Sequence, residues 1–223
     1  MTKPQHSVTV AHESLEDTLK LPLIEVAATQ KNRDVFAVFI SGDGGWAGID
    51  KAVAAALAKN GISVVGWNSL QYFWQARSPE TASRDLERII NHYKNVWKKD
   101  TVICIGYSFG ADVLPFMATR LPKTVFETIP LFAFISISKA ADFQFHLSDW
   151  IGGGPSKTAM PVLPELEKMK EKKTLYFFGS EEKEEVAGIL TAHLGKTISL
   201  PGGHHFRGHY QAIADSITGE LGK

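Results

Sequence analysis

Short apolar runs alternate along this chain with longer stretches in which apolar residues recur every three or four positions. The runs at 21–26, 35–41, 63–67, 101–107, 131–138, 174–178 and 197–200 are rich in β-branched and aromatic residues and read as strands. Several are apolar at every position, as strands covered by helices on both sides must be. Helical spacing predicts a helix over 50–59, stopped by Asn60-Gly61, and another over 79–97, opened by Ser78 as cap and Pro79 in the first turn. A helix over 109–120 follows a strand directly, with Pro115 expected to bend or shorten it, and 210–221 reads as a closing amphipathic helix. The stretch 141–169 is less regular: it holds Gly152-Gly153-Gly154-Pro155 and a short helix around 163–170. Strands alternating with helices predict one doubly wound, mostly parallel sheet in a three-layer sandwich.

Length keeps that picture to a single core, since 223 residues with 44% hydrophobic content fit one domain. Repeats and Pro/Gly/Ser linkers are absent, so the expected organisation is a polar segment over 1–20 and one α/β domain over 21–223. The stretch 141–169 sits where such a domain accepts a small cap insertion. Lys plus Arg equals Asp plus Glu at 24 each, which removes the electrostatic footprint of a nucleic-acid-binding protein. The lone Cys104 lies in an apolar run, so neither an intrachain disulfide nor a multi-cysteine metal site is expected, and no cofactor is called for. The longest apolar runs fall far short of the ~20 residues a membrane helix needs, and no transmembrane segment is expected. The opening residues Met1 to Lys20 are polar and lack the pattern of a secretory signal.

The chemistry centres on Gly106-Tyr107-Ser108-Phe109-Gly110, a G-x-S-x-G between an apolar strand and a helix. Glycines two residues either side suit a strained turn in which any side chain would collide with neighbouring backbone, and the turn projects the serine Oγ outward. The context predicts the α/β-hydrolase fold with Ser108 as nucleophile. The helix behind it points its N-terminus at the site, which makes the Phe109 N–H an oxyanion donor. A serine hydroxyl needs a base, and in this fold the order along the chain is Ser, acid, His. The last strand runs into Pro201-Gly202-Gly203-His204-His205-Phe206, which makes His204 the first choice of base and His205 the second.

The acid is expected after the strand at 174–178, where Gly179-Ser180-Glu181-Glu182-Lys183-Glu184-Glu185 offers four carboxylates. Glu182, three residues past the strand-ending glycine, is preferred as the group that holds the imidazole tautomer. Ser41-Gly42-Asp43-Gly44-Gly45-Trp46 follows the strand at 35–41, and its glycines let backbone N–H groups approach a ligand; the Asp43 N–H is the expected second oxyanion donor. A phosphate-binding loop is the rival reading, but neither Gly-Lys-Ser/Thr nor G-x-G-x-x-G is present. Asp112, one helical turn beyond Ser108, would join Asp43 in an acidic mouth suited to a cationic substrate group, or simply favour the helix dipole. Trp67, Tyr72, Phe73 and Trp74 cluster after the strand at 63–67; Trp67 and Trp74, with Trp46, are candidates to contact acyl or lipid surface.

Together, Leu-Pro-Leu-Ile-Glu-Val at 21–26, Ile-Ser-Gly-Asp-Gly-Gly-Trp at 40–46, Gly-Tyr-Ser-Phe-Gly-Ala-Asp-Val-Leu-Pro at 106–115 and Pro-Gly-Gly-His-His-Phe at 201–206 resemble the VirJ/AcvB family of bacterial virulence-associated hydrolases. The resemblance implies Ser108 as nucleophile, His204 as base and a carboxylate near Glu182 as acid. It also implies a periplasmic protein, while the polar opening leaves a cytoplasmic one open. AcvB-type members hydrolyse aminoacylated phosphatidylglycerol, releasing lysine from the lipid head group, and VirJ-type members are linked to type IV secretion. The resemblance therefore implies an ester in a lipid as substrate and a secretion-system protein as a partner. The alternatives are a general carboxylesterase or thioesterase, and a non-catalytic hydrolase-fold interaction module.

Overall fold

The computed structural model describes residues 19–30, 33–144, 158–182, 190 and 194–222. Its centre is a seven-stranded sheet in the order β1-β3-β2-β4-β5-β8-β9. The strands are β1 (Leu23–Val26), β2 (Val35–Ile40), β3 (Ser63–Trp67), β4 (Thr101–Tyr107), β5 (Leu131–Ile135), β8 (Lys173–Gly179) and β9 (Lys196–Leu200). All neighbours pair in parallel except β1, which lies antiparallel against β3 at one edge. The remaining strands, β6 (Ala140–Ala141) and β7 (Met160–Pro161), form a separate two-stranded ribbon.

Both sheet faces are covered, which is why β2 through β5 read as unbroken apolar runs. Along β2, Phe36, Val38 and Ile40 enter one core and Val35, Ala37 and Phe39 the other, the period-2 alternation of a pleated strand. The first core is closed by α3 (Pro79–Trp97), α4 (Phe109–Ala118) and α6 (Leu163–Lys168). The second is closed by α1 (Gly48–Lys59) and α7 (Tyr210–Leu221). Two short helices, α2 (Ser69–Tyr72) and α5 (Lys123–Phe126), occupy stretches that carry no periodic pattern. Ser78 caps α3 by accepting the Thr81 N–H at 3.1 Å, with Pro79 in the first turn. The expected helix over 109–120 ends at Ala118, with Pro115 inside it.

Of the irregular stretch 141–169, the described part supplies Ala141 of β6 and all of β7, then α6; its glycine run lies outside the described residues, as does the polar segment up to residue 18. Among the described residues no helix is long and apolar enough to cross a membrane.

The strand order places the site. From β2 the chain passes through α1 to β3 on one side; from β3 it crosses back through α3 to β4, and from there it runs outward to β5, β8 and β9. Adjacent strands β2 and β4 therefore send their connections to opposite faces, opening a crevice at their carboxyl ends where ligands of open α/β sheets bind.

Candidate active site

Ser108 sits in that crevice at the turn from β4 to α4, with φ 50° and ψ −119°, a conformation sparsely populated by residues with a side chain. The turn is pinned by the Ser108 N–H donating to Ile135 O at 2.8 Å and by the Asp112 N–H donating to Ser108 O at 3.0 Å. Its glycines are required by contact. A Cβ on Gly106 would lie 2.6 Å from Ala111 Cα, and one on Gly110 would run into the carbonyl oxygens of Ile40 and Ser41.

Two further strand ends complete the arrangement. His204, past β9, brings Nε2 to 2.9 Å from Ser108 Oγ and Nδ1 to 2.8 Å from Glu182 Oε1. An ionised carboxylate only accepts, so Glu182 holds the proton on Nδ1 and leaves the Nε2 lone pair facing Oγ. Glu182 itself, past β8, accepts the Gly179 N–H at 2.5 Å and the Ser136 hydroxyl at 3.1 Å through Oε2. Burial would raise its pKa, but hydrogen bonds from His204, Gly179 and Ser136 outweigh burial and hold the carboxyl below its ordinary value. Glu181 faces away, paired with Arg207 at 2.5 Å, and Glu184 and Glu185 lie outside the described residues. His205 turns from the serine and places Nδ1 3.0 Å from the Tyr107 hydroxyl, which also donates to His204 O at 3.3 Å.

A cavity of about 360 Å³ opens beside Ser108, lined by the 42–50 loop and helix start together with Tyr107, His204 and His205. A larger groove of about 1000 Å³ lies at the other end of the sheet among Arg33, Asp34, Lys59 and Asp215; it contains no nucleophile and base in contact, so size does not mark the site. The loop is braced by Asp50, which accepts the Gly42 N–H at 3.2 Å and the Ala47 N–H at 3.3 Å. Burial pushes the Asp50 carboxyl up to about 7, against the pull of those N–H groups. Asp112 accepts the Ser138 N–H at 2.6 Å, and burial raises its pKa well above the ordinary value.

Residues 34–223 match the family described as bacterial virulence protein (VirJ). The chain belongs to this family. Among solved structures, this VirJ-family chain is similar to Est1E from Butyrivibrio proteoclasticus, with a TM-score of 0.65 at 11% identity over 89% of this chain and 92% of that one. MenH from S. aureus aligns with a TM-score of 0.62 at 14% identity, covering 90% and 96%. A thioesterase domain from the curacin biosynthetic pathway gives 0.59 at 14%, covering 89% and 93%. At such identities the likeness establishes the fold, and the fold is that of the α/β-hydrolases. Among curated proteins none matches this chain.

The aromatic candidates of the VirJ-family chain separate by position. Trp67 has no exposed surface and packs edge-on against Tyr72, so it belongs to the core. Trp46 lies across Gly66, where a Cβ would come within 2.5 Å of its ring, and packs on Phe39. Trp74 is 61% exposed, on the loop after Phe73, whose ring touches Phe109. Sequence reasoning passed over Ser136, Asp50, Ser69 and the Tyr107 hydroxyl. Their positions at or just past strand ends, or in the first turn of a helix, were the available signal.

Proposed function

We propose that the chain is a serine hydrolase that cleaves an ester by acyl transfer, acting in the periplasm on aminoacylated phosphatidylglycerol. The observation that carries the hydrolytic part is the continuous hydrogen-bonded run from Ser108 Oγ through His204 to Glu182. In this reading Ser108 Oγ attacks the ester carbonyl while His204 Nε2 takes its proton, and Glu182 stabilises the imidazolium. The Phe109 and Asp43 N–H groups bind the oxyanion. Collapse expels the alcohol, which receives the proton from His204, and water then attacks the acyl-serine by the same route to free the acid.

Several structural neighbours are themselves named as esterases, and one as a thioesterase, which supports ester chemistry. The lipid part rests on the family and on Asp43, an exposed acidic residue lining the cavity beside Ser108, whose charge suits an aminoacyl ammonium group.

The test is labelling of wild type and Ser108→Ala with a fluorophosphonate, read by intact mass, followed by turnover of lysyl-phosphatidylglycerol against a neutral ester. One adduct that vanishes in the variant, with release of lysine from the lipid, is expected. No adduct on folded wild type would instead favour an interaction module for a secretion-system protein. Asp43→Asn is expected to weaken turnover of the lysyl ester more than that of the neutral ester, and equal losses would remove the ammonium assignment.

A further inference from the structure

Gly42 C=O and Asp43 N–H are the two ends of one peptide group, and no peptide bond among the described residues is cis. In a planar trans peptide these ends point in opposite directions, so whatever holds the carbonyl aims the N–H. The Gly42 carbonyl is held from behind the loop. Ser69 Oγ donates to it at 2.5 Å, the shortest of three contacts, with the Gly45 N–H at 3.0 Å and Ser41 Oγ at 3.2 Å. Ser69 is fixed in turn: its N–H donates to Ser41 Oγ at 3.0 Å, and the two hydroxyls lie 3.0 Å apart. Neither serine has any exposed surface. Among the described residues no acceptor is paired with the Asp43 N–H, and Gly42 and Asp43 line the cavity that holds Ser108.

We propose that Ser69 is a positioning residue that sets the second oxyanion donor, its buried hydroxyl holding the Gly42–Asp43 peptide so that the Asp43 N–H faces Ser108. The hydroxyl does this in two ways. It fixes the direction of the peptide plane, and by donating to the carbonyl it polarises the same amide, making the N–H a stronger donor to developing negative charge. A group acting on the oxyanion alone changes the transition state and leaves ground-state binding untouched. The inference rests on the reading of Ser108 as nucleophile.

The experiment compares wild type, Ser69→Ala, Ser69→Cys and Ser108→Ala with a p-nitrophenyl ester, recording kcat, KM and the Kd of an alkylboronic acid that forms a tetrahedral adduct at the serine. Loss of one oxyanion donor lowers kcat by about 100–1000-fold, so misaiming it in Ser69→Ala is expected to lower kcat by about 10–100-fold with KM little changed. The boronic acid Kd should rise by a similar factor. Ser69→Cys keeps the size of the side chain and a weak donor, and is expected to fall between the two; it carries the test if the alanine variant does not fold. Wild-type kcat and boronic acid affinity in a folded Ser69 variant, whatever its Tm, would overturn the proposal while Ser108→Ala remained inactive. Full activity of Ser108→Ala would instead remove the reading on which it rests.

Discussion

The buried Asp50 carboxyl couples its ionisation to fold stability, and replacing it with Asn removes that coupling. The Asp50 carboxyl is 3% exposed and ionises at about 7 in the folded chain, against an ordinary value of 3.8. Between these values the folded protein holds the proton and the unfolded chain does not. Asp50 therefore favours folding most below the unfolded value, loses that advantage as pH rises, and levels off above about 7. From pH 5 to pH 8 the loss is about 2–3 kcal/mol, or a fall in Tm of about 5–10 °C for a chain of this length. Asn keeps one acceptor for the Gly42 or Ala47 N–H and does not titrate. Its fixed cost from the lost hydrogen bond is the same at every pH. Asp43 and Tyr107, the charged and titratable groups that bear on Asp50, are present in both proteins. Thermal unfolding of wild type and Asp50→Asn at unit steps from pH 5 to 8 should thus show the Tm difference moving in favour of the variant by that amount. A difference that stays constant with pH would refute the reasoning.

Glu182→Gln should lower kcat about 10³–10⁴-fold at little change in KM, because the Gly179 N–H and Ser136 hydroxyl keep the amide oxygen, the NH2 then donates to Nδ1, and the imidazole is left in the wrong tautomer; a loss under tenfold in steady-state assays would contradict the assignment. His204→Ala should abolish fluorophosphonate labelling while His205→Ala keeps it, and the reverse pattern would exchange their roles. Gly110→Ala drives a methyl group into two backbone carbonyls that cannot rotate aside, and should cost about 3 kcal/mol, seen as a Tm lower by about 6–12 °C. A variant as stable as wild type would show that α4 can back away from β2.

Most of the frame was legible in the chain. Strand β4 and helix α3 occur where alternation, capping and first-turn proline placed them, because those signals are local. Ser108 was legible because the elbow constrains five consecutive residues, and Glu182 because its distance from the strand-ending Gly179 is short. Asp50, Ser69 and Ser136 were not. Ser69 and Ser136 act through hydrogen bonds to groups 27 and 46 residues away, and Asp50 reaches back three and eight residues into an irregular loop, partnerships that no periodicity records. Trp67 shows the converse. It shares a face of β3 with Val65 in the first core, and the period of the strand rather than its aromatic character decided its place.

The contact of Gly110 with the end of β2 divides the molecule into parts that evolution can treat differently. It welds the serine turn to the loop that begins at Ser41, so these two walls of the cavity beside Ser108 cannot drift apart independently. Stretches 70–77 and 138–144, which carry Trp74 and Phe143, make no hydrogen bond to Ser108, His204 or Glu182 among the described residues. Their exposed positions, such as Trp74 and Gln75, are free to be rewritten, by natural drift or by an engineer, without disturbing the hydrogen bonds among Ser108, His204 and Glu182, whereas the buried Tyr72, Phe73 and Phe143 are held by the core.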